Sequence, residues 1–182
     1  MMHPRLAAVI DFVDRARTEL LVAVDAVPEP LREARPSENE WSVAEIVEHL
    51  ARVEKGIAKL VALKVGELQA MPEPPREATD AAPSAGDRFA TILNRATRLE
   101  APERVAPKGE MSAEAALSEL KATRGMLLDQ LHAGDGLAYS AVIHPHPIFG
   151  PIDLYEWVHF VGAHELRHVE QIRDVARQLS VN

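Results

Sequence analysis

Residues 144–173 read HPHPIFGPIDLYEWVHFVGAHELRHVEQIR, a proline-broken turn that runs into a long amphipathic segment with two histidines inside its apolar face. Pro145, Pro147, Gly150 and Pro151 exclude a helix from the first part. Asp153 and Glu156 are spaced as a capping box, with Ile152 and Trp157 as the flanking hydrophobic staple, so a helix is expected from Leu154 to about Leu179. Along it Trp157, Val161, His164, His168, Ile172, Val175 and Leu179 follow one another at intervals of three and four, which makes one continuous stripe. His164 and His168 are one turn apart within that stripe, and such a pair can bring two imidazole nitrogens to a single ion.

Upstream, three further helices carry matching stripes. Ser42 and Glu45 form a second capping box, stapled by Trp41 and Ile46, and Val43, Ile46, Val47, Leu50, Val53, Ile57, Leu60 and Val61 continue the apolar side, with Gly66 the expected stop. His49 lies three residues after Ile46 and four before Val53, so it points with the apolar residues. Before it, Leu6, Val9, Ile10, Val13, Ala16, Leu20, Leu21 and Val24 mark a helix from about Arg5 to Ala26, ended by Pro28 and Pro30. After it, Ser112 is the expected cap of a helix built on Ala116, Leu117, Leu120, Thr123, Leu127, Leu128 and Leu131 and closed by Gly134 and Gly136.

Between the second and third of these helices the chain is long and broken. MPEPPREATDAAP, residues 71–83, excludes regular structure over most of its length. Phe89, Ile92, Leu93 and Ala96 predict one short extra helix within residues 85–99, before Pro102 and Pro107 interrupt again. A connection of that length exceeds a bundle's usual hairpin loop and implies a crossover. The expected fold is all-α, a four-helix bundle forming a single domain over residues 1–182.

Composition narrows the function. The 182 residues are 47% hydrophobic and 26% charged, the balance of a globular chain, and the net charge of -8 with no basic run argues against nucleic acid and anionic membranes as partners. With no cysteine, disulfides, thiolate ligands and a cysteine nucleophile are excluded together, so any thiol chemistry must use a thiol that arrives with a substrate. The first twenty residues, MMHPRLAAVIDFVDRARTEL, place Asp11, Asp14 and Arg15 among the apolar positions, unlike a signal peptide. No apolar run approaches the roughly 20 residues of a membrane span, and a cytoplasmic protein is expected.

Three inward histidines require an account, because a buried imidazole nitrogen left unpaired costs about 1–3 kcal/mol. A shared cation and ordinary hydrogen bonds are both compatible with the pattern. HELRH also fits HExxH, in which two histidines bind zinc and the glutamate activates water. The longer protease pattern is missing, since Gln171 and Asp174 stand where glycine and a third histidine are required, and the short stretch after His168 is expected to hold no alternative ligand. Glu165, about 100° around the helix from His164, fits either a supporting or general-base carboxylate or a solvated charge. Gln171, one turn beyond His168, is a candidate to orient it. His144 and His146 are expected to be exposed beside their prolines. Trp41, Tyr139, Tyr155 and Trp157 suit either the mouth of a pocket or core packing.

WSVAEIVEHLARVE at residues 41–54, HPIFGPIDLYEWVHFVGAHELRHVEQI at residues 146–172, and the long connection between the second and third helices together resemble the DinB/YfiT-like superfamily of metal-binding four-helix bundles. The resemblance spans nearly the whole chain, from Arg5 to about Leu179. It implies an up-down-down-up topology and a three-histidine site that falls on His49, His164 and His168. It further implies a divalent metal, zinc or nickel, and a homodimer. Characterised members that use low-molecular-weight thiols, such as bacillithiol transferases and a mycothiol-dependent maleylpyruvate isomerase, imply a metal-dependent enzyme. Three histidine ligands would leave a coordination position for a thiol, to be transferred to a small electrophile, or for a hydroxide in a hydrolase. A non-enzymatic metal-binding or stress-associated bundle is the remaining class.

Overall fold

The computed structural model describes residues 1–79, 89–93 and 101–181. Four long helices carry it: α1 (Pro4–Asp25), α2 (Val43–Gln69), α4 (Ala113–Ala133) and α5 (Leu154–Val181), with a single turn of helix, α3 (Ala90–Leu93), in the crossover. Pro4 opens α1, where a missing N–H costs nothing. Both expected capping boxes form: Ser42 and Glu45 bond reciprocally at the start of α2, and Asp153 and Glu156 do the same before α5. Ser112 caps α4 through the Ala115 amide.

Cross-helix bonds define the topology. Arg5 reaches Asp153 and Arg17 reaches Glu165, so α1 and α5 run in the same direction. Lys55 pairs with Glu119, and Gln69 donates to the Ala133 carbonyl, so α2 and α4 also run together. The start of α1 packs with the end of α2, and the end of α1 with the start of α2, which makes these two antiparallel. The result is an up-down-down-up four-helix bundle, and the parallel α2–α4 pair makes the long crossover unavoidable.

Two apolar clusters fill the bundle. One gathers Leu6, Val9, Val13, Val61, Val65, Leu127, Leu131, Leu154 and Val158. The other gathers Leu20, Val24, Val43, Ile46, Leu50, Leu120, Val169 and Ile172. Each such side chain contributes about 1.5–3 kcal/mol on burial. Between the clusters lies a polar layer to which every long helix contributes. Arg17 of α1 bonds Glu165 of α5 through Nε and Nη2 and Glu54 of α2 through Nη2, while Arg124 of α4 bonds Glu54 through Nε and Glu165 through Nη2.

Two local expectations are revised, and a third is described only in part. Helix α2 continues past Gly66 to Gln69, because Val65 and Leu68 extend the buried stripe and Gly66 keeps helical geometry. The turn before α5 is a two-stranded antiparallel hairpin, β1 (Ile143–His146) and β2 (Gly150–Asp153), in which Pro145 faces Pro151. A two-stranded ribbon has only edges, which is where proline is tolerated, and Gly150 supplies the positive φ of +69°. The extra helix expected within residues 85–99 is described only at Ala90–Leu93, and the rest of that expectation lies outside the described residues. Among the described residues no helix is long and apolar enough to cross a membrane.

Gly162 of α5 is where Phe12 of α1 crosses, stacked on His159 at 4.0 Å, and a Cβ at Gly162 would stand 2.6 Å from the Phe12 ring. Gly162→Ala is therefore expected to lower stability by about 1–3 kcal/mol despite alanine's better helix propensity. Gly125→Ala, where a Cβ meets nothing within 4 Å, is expected to raise it by up to about 1 kcal/mol. Urea unfolding of the two variants checks the opposite signs.

Candidate metal centre

Because α2 and α5 present their stripes to each other, His49 on α2 meets His164 and His168 on α5. The Nε2 atoms of His49 and His164 are 3.3 Å apart, and those of His168 and His164 are 3.1 Å apart. One ligand atom from each of the three lies within 4.8 Å of the other two, so the cluster could hold a metal ion. A tetrahedral site with metal–nitrogen bonds of about 2.0–2.1 Å separates its nitrogens by about 3.3–3.4 Å, close to both distances.

The outer nitrogens fix the chemistry of the inner ones. His49 Nδ1 lies 2.8 Å from the Val105 carbonyl, an acceptor, so the proton sits on Nδ1 and Nε2 keeps its lone pair. His168 Nδ1 lies 2.7 Å from Gln171 Oε1, with the same consequence. Two Nε2 lone pairs therefore face His164 Nε2, which can carry at most one proton between them. Three converging nitrogens with so few protons are poorly satisfied by hydrogen bonds alone and well satisfied by a cation.

Electrostatics agree. His49 is 4% exposed and His168 6%, while His164 keeps partial exposure. Burial, opposed by its bond to Val105, holds His49 below the ordinary imidazole value. Burial, together with the His168 and His49 rings, holds His164 well below it. Neutral imidazoles are the form that binds metal.

Around the cluster, Trp41 packs 5.1 Å from the His49 ring, and Phe160 stacks on His164 at 5.2 Å. Tyr139 and Tyr155 instead belong to the core, the latter under Arg5, and Trp157 donates to the His144 carbonyl. Glu165 is 1% exposed, which removes the solvated-charge alternative. Its Oε1 is taken by Arg17 and Arg124, and burial pushes its carboxyl above the usual range against the pull of both arginines. His146, expected to be exposed, is buried against Phe149, Trp157 and Phe160. The alternating pattern of a short hairpin is its only sequence signal, and the prolines mask it.

A helical bundle with a three-histidine cluster is thus the class that fold and site define. The sequence profile of the DinB superfamily matches residues 13–172, and the chain belongs to that superfamily. It is 22% identical over 169 residues to the uncharacterized protein YuaE of Bacillus subtilis (strain 168), covering 91% of this chain and 96% of that one. The crystal structure of TT2238, a four-helix bundle protein, superposes with a TM-score of 0.56 at 17% identity, covering 93% of this chain and 98% of the other.

The lowered histidines set a sign for pH dependence. Unfolded, these rings titrate near the ordinary 6.5, while folded His49 and His164 resist protonation, so below that value the unfolded chain binds more protons. The metal-free protein is therefore expected to keep full stability above about pH 6.5 and to lose it as pH falls. Urea midpoints of chelator-treated protein should drop between about pH 7 and 5, with a shallower slope in His164→Ala. A midpoint that stays level over this range would contradict the assignment of neutral rings.

Proposed function

We propose that the protein is a metal-dependent enzyme that uses His49, His164 and His168 to hold a divalent transition metal, zinc or nickel, and activates a low-molecular-weight thiol for transfer to a small electrophile. The convergence of the three Nε2 atoms, two of them deprotonated by their outer partners, is the observation that carries this reading. A divalent ion with three histidine ligands keeps a coordination position open and lowers the pKa of the group entering it.

The chain's own residues orient the ligands. The Val105 carbonyl and Gln171 Oε1 hold the His49 and His168 rings in the binding tautomer. Phe160 stacks on the His164 ring and Trp41 packs against His49, which limits the orientations the two rings can take. The chain contains no cysteine, so a substrate thiol meets no internal rival.

Thiol activation is favoured over hydrolysis by the surroundings of Glu165. Free thiols ionise near pH 8.5 and need lowering by only about 1–2 units, whereas water starts near 15.7 and profits from a neighbouring carboxylate base. The two carboxylates adjoining a ligand in sequence are engaged elsewhere: Glu165 through Oε1 with Arg17 and Arg124, and Glu48 with Arg52 and the Lys108 and Gly109 amides.

Elemental analysis of protein purified without a histidine tag is expected to find about one divalent ion per chain, lost in His49→Ala, His164→Ala and His168→Ala. Gln171→Ala is expected to weaken metal affinity by about 10-fold. Thiol consumption with a small electrophile should vanish on chelation and return on remetallation, while a panel of simple esters stays intact. Metal-dependent ester cleavage without thiol transfer would replace this reading by the hydrolase.

A further inference from the structure

The side chain of His146 ends β1 with an arrangement that no part of the metal centre explains. Its Nδ1 lies 3.1 Å from the Ile148 amide nitrogen and 3.4 Å from that of Phe149, and it accepts from both across the hairpin turn. Nδ1 therefore carries no proton, and the ring's single proton sits on Nε2, on the far side of the imidazole from the turn. The residue is 5% exposed, and among the described residues Nε2–H has no hydrogen-bond partner. Burial, with help from the Arg104 charge, lowers the ring to about 4, so it is neutral at neutral pH.

What surrounds this donor is aromatic. Phe160 lies 4.5 Å away, Trp157 4.6 Å and Phe149 5.0 Å, between ring centroids. Phe160 also stacks on His164, so a single ring connects His146 to a member of the three-histidine cluster. Arg104, whose charge reaches His146, precedes Val105, whose carbonyl holds His49. The hairpin and the crossover thus approach the same side of the cluster. An N–H donor without a protein partner among the described residues and rimmed by rings is suited to an acceptor oxygen on an otherwise apolar small molecule.

We propose that His146 is a ligand-binding residue of this centre, donating its Nε2–H to a carbonyl or carboxylate oxygen of the small molecule that enters beside His164. This rests on the reading of the cluster as a thiol-binding metal site. His146 selects, among small thiols and electrophiles, those that place an acceptor oxygen near the reacting atom, and the aromatic wall accommodates their carbon skeleton.

The test uses the full-length protein loaded with cobalt(II), whose visible spectrum reports both the centre and a sulfur ligand. Two thiols serve as probes: mercaptoacetate, which carries a carboxylate, and phenylmethanethiol, which has no acceptor oxygen. His146→Asn keeps an acceptor for the turn amides and removes the distal donor, while His146→Gln restores a donor near the Nε2 position. Each variant is first checked for an unchanged cobalt spectrum without thiol. His146→Asn is expected to weaken mercaptoacetate by about tenfold and to leave phenylmethanethiol unchanged, with His146→Gln recovering part of the loss. Equal affinity of the parent and His146→Asn for mercaptoacetate, or an equal loss for both thiols, would overturn the role of His146 alone. A cobalt-loaded parent in which neither thiol produces a sulfur-to-cobalt band would overturn the thiol reading and this role together.

Discussion

Four charged side chains in the middle of the bundle, Arg17, Glu54, Arg124 and Glu165, constrain everything else. They come from four different helices and bond with one another at 2.6–3.2 Å. Removing such charges from water costs several kcal/mol per ion, and only close geometry with further hydrogen bonds offsets it. The further bonds exist: Arg17 donates to the Leu120 carbonyl, and Arg124 to the Val13 carbonyl and Asp14. An apolar layer specifies register through shape alone, whereas this one also loses its charge partners on any shift. The layer therefore sets the axial register of all four helices at once.

That register is what the histidines need. Glu165 adjoins His164, and Glu54 lies little more than a turn from His49, so the residues that lock α2 to α5 sit beside the residues that must converge. The two sites have opposite electrostatic character. The layer balances buried charge with buried charge and is nearly complete, with Glu165 Oε2 the one carboxylate oxygen in it left without a partner among the described residues. The histidine cluster holds neutral rings with lone pairs facing inward, which a cation completes. Glu165 looks like a catalytic glutamate in the HExxH pattern, yet its carboxylate turns to the arginines, because the adjoining position on a helix lies about 100° away from the ligand face.

Periodic features were legible in sequence and non-local ones were not. Stripes at three- and four-residue spacing located all four helices, and two capping boxes located two starts to the residue, because both signals are local. His49, His164 and His168 could be read as inward for the same reason. Glu165 could not, since its burial depends on arginines far away in the chain on α1 and α4. His146 could not either: four breakers around it hide a hairpin whose short strands bury His146 and Ile152.

The crossover shows why a parallel α2–α4 pair suits a site of this kind. Parallel neighbours demand a connection that travels the length of the bundle, and here its returning end is fastened beside the histidines. The amides of Lys108 and Gly109 both donate to the Glu48 carboxylate, which Arg52 also holds, and Glu48 is the residue before His49. Three residues earlier, Val105 offers its carbonyl to His49 Nδ1. Gly109, at φ +69°, passes so close to Glu45 that a Cβ would stand 3.1 Å from Oε1, and Glu45 is itself fixed by Arg35 and the Ser42 amide. A loop anchored at both Val105 and Gly109 is a rigid part of the site, and the bundle's topology thereby supplies an outer partner to a histidine that helix packing alone would leave half satisfied.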